Sequence, residues 1–156
     1  MRIGVVSDTH RDKTILPMVV KSLEDVDLII HLGDNVQDVE EIKKIYKKNI
    51  INVKGNCDFG NKCPEEIFKE IEGVKFFITH GHKYDVKYNI LNLKYRAEEL
   101  GADVALFGHT HLSGIEYENG IWFVNPGSPS VPRDRYRSVG LININDGKIT
   151  AEIKLL

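Results

Sequence analysis

Five short stretches of this chain carry side chains suited to metal and phosphate chemistry. They are Asp8-Thr9-His10, Gly33-Asp34, Gly55-Asn56-Cys57-Asp58, His80-Gly81-His82 and Gly108-His109-Thr110-His111. Between them Asp8, His10, Asp34, Asn56, His80, His109 and His111 offer imidazole nitrogen and carboxylate or amide oxygen. Neutral imidazole is a common transition-metal ligand, and nitrogen mixed with hard oxygen suits Mn, Fe, Zn, Co or Ni better than an all-oxygen Mg or Ca site. If Asp34 is shared between two ions, each receives four protein ligands and keeps open positions for water and substrate.

Such a pair is equipped for phosphoester hydrolysis. Two divalent ions about 3.5–4 Å apart can share a hydroxide, because coordination lowers the pKa of water from 15.7 to about 7. The same pair neutralises charge on the phosphoryl oxygens while the hydroxide attacks in line with the leaving group. Two aspartates, two divalent ions and one hydroxide leave a formal charge of about +1, which attracts an anion. Asn56 adds no charge and could also turn its amide to the phosphate.

The elements that must position these residues come next. Each stretch follows a predicted strand: 2–7, 27–32, 50–54, 75–79 and 102–107. The first three are apolar runs separated by helical periodicity. One helix runs to about Leu23, with Asp12 or Thr14 as cap, Pro17 in its first turn and Ile15, Val19, Val20 and Leu23 inward. The other covers 36–48 with Val39, Ile42, Ile45 and Tyr46 inward, and Lys43, Lys44, Lys47 and Lys48 as its solvated face. Beyond residue 65 the alternation changes. Glu66–Ile71 and 75–79 read as a hairpin, followed by a helix at 88–100 that presents Leu91, Tyr95 and Leu100 and is stopped by Gly101. The tail reads as hairpins, Ser113–Glu118 with 121–125 and 138–144 with Lys148–Leu155, turning at Asn119-Gly120 and Asp146-Gly147. A parallel βαβ part and a largely antiparallel part predict an α/β fold: a four-layer α/β/β/α sandwich of two mixed sheets, about ten strands in all, flanked by helices. The chain reads as one domain over residues 1–156.

In this order, Asp-x-His, Gly-Asp, Gly-Asn-Cys-Asp, His-Gly-His and Gly-His-Thr-His resemble the calcineurin-like metallophosphoesterase superfamily, and within it the compact prokaryotic phosphodiesterase branch (YfcE type). The resemblance spans Asp8 to the Asn125-Pro126-Gly127-Ser128 segment. It implies that Asp8, His10 and His111 hold one metal, that Asn56, His80 and His109 hold the other, and that Asp34 bridges both. The implied activity is hydrolysis of small or activated phosphodiesters with two divalent transition-metal ions, Mn foremost. A non-catalytic interaction scaffold on the same fold is the alternative. Relatives also suggest a homodimer or higher homo-oligomer.

Cys57 departs from the larger members of the superfamily, which resemble this chain except for a histidine there that helps the leaving group. A thiol with an ordinary pKa near 8.5 is a poorer proton donor than imidazolium. Either the substrate needs no acid, as with an aryl ester, or His82 takes the role. Cys57 has the alternative reading of a small, half-buried loop residue, and His82 that of a partner of the His80 loop. Asp58 and Asn35 are expected to orient the ligands, His31 to be structural, and Arg133, Arg135 and Arg137 to be solvated. The composition is 42% hydrophobic and 28% charged, with a net charge of −2. It gives no basic excess for gripping nucleic acid. The two cysteines make no disulfide framework. No apolar run approaches a membrane span, and the short run at Ile3-Gly4-Val5-Val6 is no signal peptide, so the cytoplasm is the expected location.

Overall fold

The structure, a computed structural model, describes residues 1–156. Five strands of the first sheet are β1 (Arg2–Val6), β2 (Leu28–His31), β3 (Asn49–Asn52), β9 (Ser138–Asn145) and β10 (Lys148–Leu155). The second sheet holds β4 (Glu66–Ile71), β5 (Val74–Thr79), β6 (Val104–Leu106), β7 (Ser113–Glu118) and β8 (Ile121–Pro126). The sheet orders are β10-β9-β1-β2-β3 and β4-β5-β6-β8-β7. In the first, β1, β2 and β3 run parallel, with Ile3 opposite Leu28 and Leu28 opposite Asn49. In the second, β5, β6 and β8 run parallel. The expected four layers are present, with α1 (Leu16–Ser22) and α2 (Gln37–Ile45) outside the first sheet and α3 (Leu91–Leu100) outside the second.

Alternation along the strands builds the layers. Ile3, Val5, Ile30, Leu32, Phe76, Ile78, Val104, Leu106, Val124 and Ile142 face between the sheets. Their neighbours Val6, Ile29 and Leu141 pack outward beneath Leu16, Val19, Val20, Leu23 and Ile42 of the first helical layer. Phe77, Ala105 and Phe123 do the same beneath Leu93 and Ala97. Gly4 lets α1 sit low on β1, since a Cβ there would lie 2.9 Å from Leu23 Cδ1. No helix is long and apolar enough to cross a membrane.

Several expectations need correction. α1 is not capped by Asp12 or Thr14; Ile15 precedes it without a side-chain bond, and Asp12 instead accepts the Thr14 N–H and hydroxyl. α2 stops at Ile45, because Tyr46 turns extended and drops its ring inward, donating its hydroxyl to Val26 O. Ile45 is therefore exposed. α3 starts at Leu91 rather than Tyr88, and one turn of 3-10 helix, His82–Tyr84, follows β5. Its buried face is Leu93 and Ala97, while Leu91 and Tyr95 are exposed and Leu100 is half-buried. The small Ala97 lets the helix approach Phe77 and Ala105, which the Leu91–Tyr95 face, with its large ring, would hold away.

Candidate metal centre

The loops after β1, β2, β3, β5 and β6 meet where the carboxyl ends of the two sheets come together, the usual edge for ligands in α/β sheets. Asp8 leads the first loop. Its Oδ2 accepts the Ser7 hydroxyl at 2.6 Å and the His109 N–H at 3.0 Å. Its Oδ1 is buried without an aligned hydrogen bond, although His111 Nε2 lies 3.1 Å away and His10 Nε2 3.8 Å. Asp34 repeats the pattern from the β2 loop. Its Oδ1 accepts the Cys57 N–H at 2.8 Å, and its Oδ2 lies 3.5 Å from His80 Nε2. Each aspartate thus has one oxygen pinned by the protein and the other turned to the imidazoles.

The imidazoles are oriented in the same manner. His80 Nδ1 donates to Leu32 O at 2.8 Å, and His111 Nδ1 donates to Val131 O at 2.9 Å. A carbonyl can only accept, so in the neutral ring the proton sits on Nδ1 and the Nε2 lone pair faces the cluster. There His10 Nε2 and His111 Nε2 approach to 3.2 Å, and so do His80 Nε2 and His109 Nδ1.

Three groups of side chains bring ligand atoms within 4.8 Å of one another: Asp8, His10 and His111; Asp34, His80 and His109; and His10, Asp34 and Cys57. Asp34 belongs to two of them. Asn56 is exposed, with its amide nitrogen 3.4 Å from Cys57 Sγ and no hydrogen bond to the histidines or carboxylates.

The electrostatics suit cations. Burial opposes ionisation of Asp8 and Asp34. For Asp8 the His111 contact and the His80 charge outweigh it, and for Asp34 the His80 contact does. Both carboxyls are held below their usual range, Asp34 well below it. Burial and then the His80 charge push His109 down to about 4, so it offers a lone pair at neutral pH. At His80 burial is outweighed by the Asp34 and Asp8 carboxylates, which raise the pKa, and Asp8 raises that of His111, so a cation competes there with a proton. Two carboxylates and imidazoles turned inward form a donor set that fits divalent transition metals.

The surrounding groups hold these loops still. The Asp58 carboxylate accepts three backbone N–H groups, from Asp34 at 2.9 Å, Gly55 at 2.8 Å and Val36 at 2.8 Å. The Asn35 amide donates to Cys57 O. His31 is wholly buried, between the Thr9 hydroxyl and the Gly33 N–H. Gly55 and Gly108 are required by proximity, since a Cβ at either would lie 2.1 Å from Asp34 Oδ1 or 2.0 Å from Ser7 Oγ. Sequence reasoning missed Ser7, Asp38, which accepts the Arg11 N–H, and the Ser128 hydroxyl, which donates to Asp8 O. A serine or aspartate at a strand end is too common to mark such a role in advance.

His82 lies beside the cluster, its ring 5.4 Å from His80 and 6.1 Å from His109, with Nδ1 buried and unpartnered. Burial, then the His80 charge, lowers its pKa. Burial and the adjacent Asp34 carboxylate push the Cys57 thiol up to about 11. Arg133, Arg135 and Arg137 are exposed; Arg137 reaches Pro129 O and Asp12.

The calcineurin-like phosphoesterase superfamily domain matches residues 1–147. This chain belongs to that superfamily. Within it, the chain is 40% identical over 136 residues to the probable metallophosphoesterase YsnB of Bacillus subtilis, covering 86% of this chain and 79% of that one. It is 29% identical over 135 residues to the phosphodiesterase YfcE of Escherichia coli, 74% of this chain and 68% of that one. A solved structure from Streptococcus pneumoniae, described as a predicted phosphoesterase, superposes with a TM-score of 0.84 at 33% identity. It covers 99% of this chain and 88% of its own. The family is metal-dependent, and compact prokaryotic metallophosphoesterases are among its members that resemble this chain.

Proposed function

We propose that this chain is a phosphodiesterase that works with two divalent transition-metal ions, Mn foremost. Asp8, His10 and His111 would hold one ion, Asn56, His80 and His109 the other, with Asp34 between them. The observation that carries the reading is the pair of carboxylates, each with one oxygen pinned and the other turned to inward imidazoles, Asp8 Oδ1 lying 3.1 Å from His111 Nε2 without an aligned hydrogen bond. When bound, such ions supply a nucleophile from water at neutral pH and neutralise phosphoryl charge.

The protein's own part is preorganisation. Ser7 and the His109 N–H fix Asp8, the Cys57 N–H fixes Asp34, and Leu32 O and Val131 O fix the tautomers of His80 and His111. The two carboxylates and these two imidazoles are thus set before charge develops. Asn56 is neutral and exposed, and its amide can donate to a phosphoryl oxygen. Cys57, with its pKa pushed up to about 11, keeps its proton and is a weak acid toward an alkoxide. His82 is held toward its neutral form. The preferred substrate is therefore a small diester whose leaving group departs without protonation, such as an aryl ester.

The presence in the chain of all seven candidate ligand residues favours catalysis over a scaffold, which could lose ligands at no cost to folding. The test is hydrolysis of bis(p-nitrophenyl) phosphate, p-nitrophenyl phosphate and single-stranded DNA, with and without chelator, after loading with Mn, Ni, Fe, Zn or Co. Metal-dependent turnover of the diester above the monoester and DNA is expected. Inertness toward all three with every metal would end the proposal.

A further inference from the structure

Phe59 has no part in the centre or in the core, and it is the most exposed of the large hydrophobic side chains, at 91%. A single exposed apolar residue is ordinary on a protein surface. The backbone beneath this one is not. Phe59 directly follows Asp58, whose carboxylate is tied to Asp34, Val36 and Gly55. The turn is closed by Asp58 N–H to Gly55 O at 3.3 Å and Asn61 N–H to Asp58 O at 3.2 Å. The anchored turn fixes the backbone from which the exposed ring projects.

Phe59 lines a cavity of about 330 Å³ together with Lys54, Asn56, Glu65 and His82. That size is at the small end of small-molecule sites, about 300–1,000 Å³. Lys54 and Glu65 pair at 3.8 Å, and Glu65 also pairs with Lys83, so one carboxylate is shared between two ammonium groups beside the cavity. The walls also hold hydrogen-bonding groups, among them the exposed Asn56 amide. Polar groups that can read the edge of a flat molecule, beside a phenyl face that can stack on it, suit a planar aromatic group. An aliphatic arm would gain from neither.

We propose that Phe59 and this cavity form the subsite for a planar aromatic arm of the substrate, an aryl group or a nucleobase, stacked on the Phe59 ring. The subsite deepens the phosphodiesterase reading and rests on it, because Asn56 joins the cavity to the proposed metal centre.

The test is calorimetric binding of phenyl phosphate, adenosine 5'-monophosphate and methyl phosphate to the Mn-loaded wild type, Phe59→Ala and Phe59→Trp. The inhibition constants of the three against bis(p-nitrophenyl) phosphate are measured in parallel. For Phe59→Ala, the affinity for phenyl phosphate or the nucleotide should fall about fivefold relative to methyl phosphate, the scale of one aromatic contact. Phe59→Trp should restore it. Loss with phenyl phosphate alone assigns an aryl arm, and loss with the nucleotide assigns a base. An unchanged ratio, or equal weakening of all three, overturns the subsite. If the wild type hydrolyses no diester, the proposed function fails, and the calorimetric ratio still decides for or against Phe59.

Discussion

Asp58 is the residue through which the β2 and β3 loops are locked together, and its removal has a calculable cost. Its carboxylate is buried; Oδ2 accepts from both Asp34 and Gly55, and Oδ1 accepts from Val36. In Asp58→Asn, the amide oxygen can take the Oδ2 position and keep two donors. The NH2 group then faces the Val36 N–H, donor against donor. One charge-assisted hydrogen bond is lost, worth about 1.5–3 kcal/mol. Asp58→Ala leaves three buried N–H groups unpaired at about 1–3 kcal/mol each. That sum approaches the whole stability of a domain, about 5–15 kcal/mol, so the asparagine variant is the informative one. Its stability is read from urea unfolding in chelator, and its metal affinity from calorimetric titration with Mn. We expect a loss of about 2 kcal/mol and a 10- to 100-fold fall in affinity, the usual effect of removing a group that orients ligands. A variant within about 0.5 kcal/mol of wild type, the scale of a neutral surface change, with unaltered affinity would refute the reasoning.

The remaining predictions concern Gly55, Cys57 and His31. Gly55→Ala places a methyl group 2.1 Å from Asp34 Oδ1, so Mn affinity measured by calorimetry should fall at least tenfold while circular dichroism stays native; retained affinity would show that Asp34 has room to move. Cys57→His should raise turnover of an alkyl diester relative to bis(p-nitrophenyl) phosphate, because imidazolium can protonate an alkoxide that a thiol with pKa of about 11 cannot; an unchanged ratio argues against a missing acid. His31 is buried, and its pKa is lowered by that burial from 6.5 to about 4. The unfolded chain therefore binds the extra proton between those values, and the contribution of His31 to stability is complete above pH 6.5 and lost as the pH falls toward 4. The full loss is on the order of 3 kcal/mol. Urea unfolding of metal-free wild type and His31→Gln at pH 7 and 4.5 should show the wild type losing more; parallel losses would sink the assignment.

What was legible in the sequence, and what was not, follows from the period and the chemistry of particular segments. β1, β2 and β5 are apolar runs that stop at polar loops bearing Asp or Gly, so their ends, and hence the placing of Asp8, Asp34 and His80, could be read directly. The face of α3 could not. Leu91 with Tyr95 and Leu93 with Ala97 are both spaced by four residues, and periodicity alone ranks the bulkier pair first. The choice falls to Leu93 and Ala97 because a small residue lets the helix close on the sheet, a fact of packing with no local signal. α2 misled for a related reason. Ile45 and Tyr46 are adjacent, and both cannot face inward once the helix ends between them.

Backbone geometry was the least visible feature. Asp8, His10, Asp34, His109 and His111 all have positive φ, between 46° and 67°, a region where a side chain other than glycine costs about 1–2 kcal/mol. Asp and His enter that region more often than other side chains, but too rarely to announce it, and glycine, which would remove the cost, would also remove the functional group. Contacts between the loops offset it: Asp8 N–H to Gly33 O at 2.9 Å, His10 N–H to Asp34 O at 3.1 Å, and Gly108 N–H to His80 O at 3.0 Å. Each bond joins one ligand-bearing loop to another. The strained residues are thus held by one another's loops, so weakening one loop should loosen ligands carried by the next, which is why Asp58, itself outside the ligand set, is the sharpest place to press.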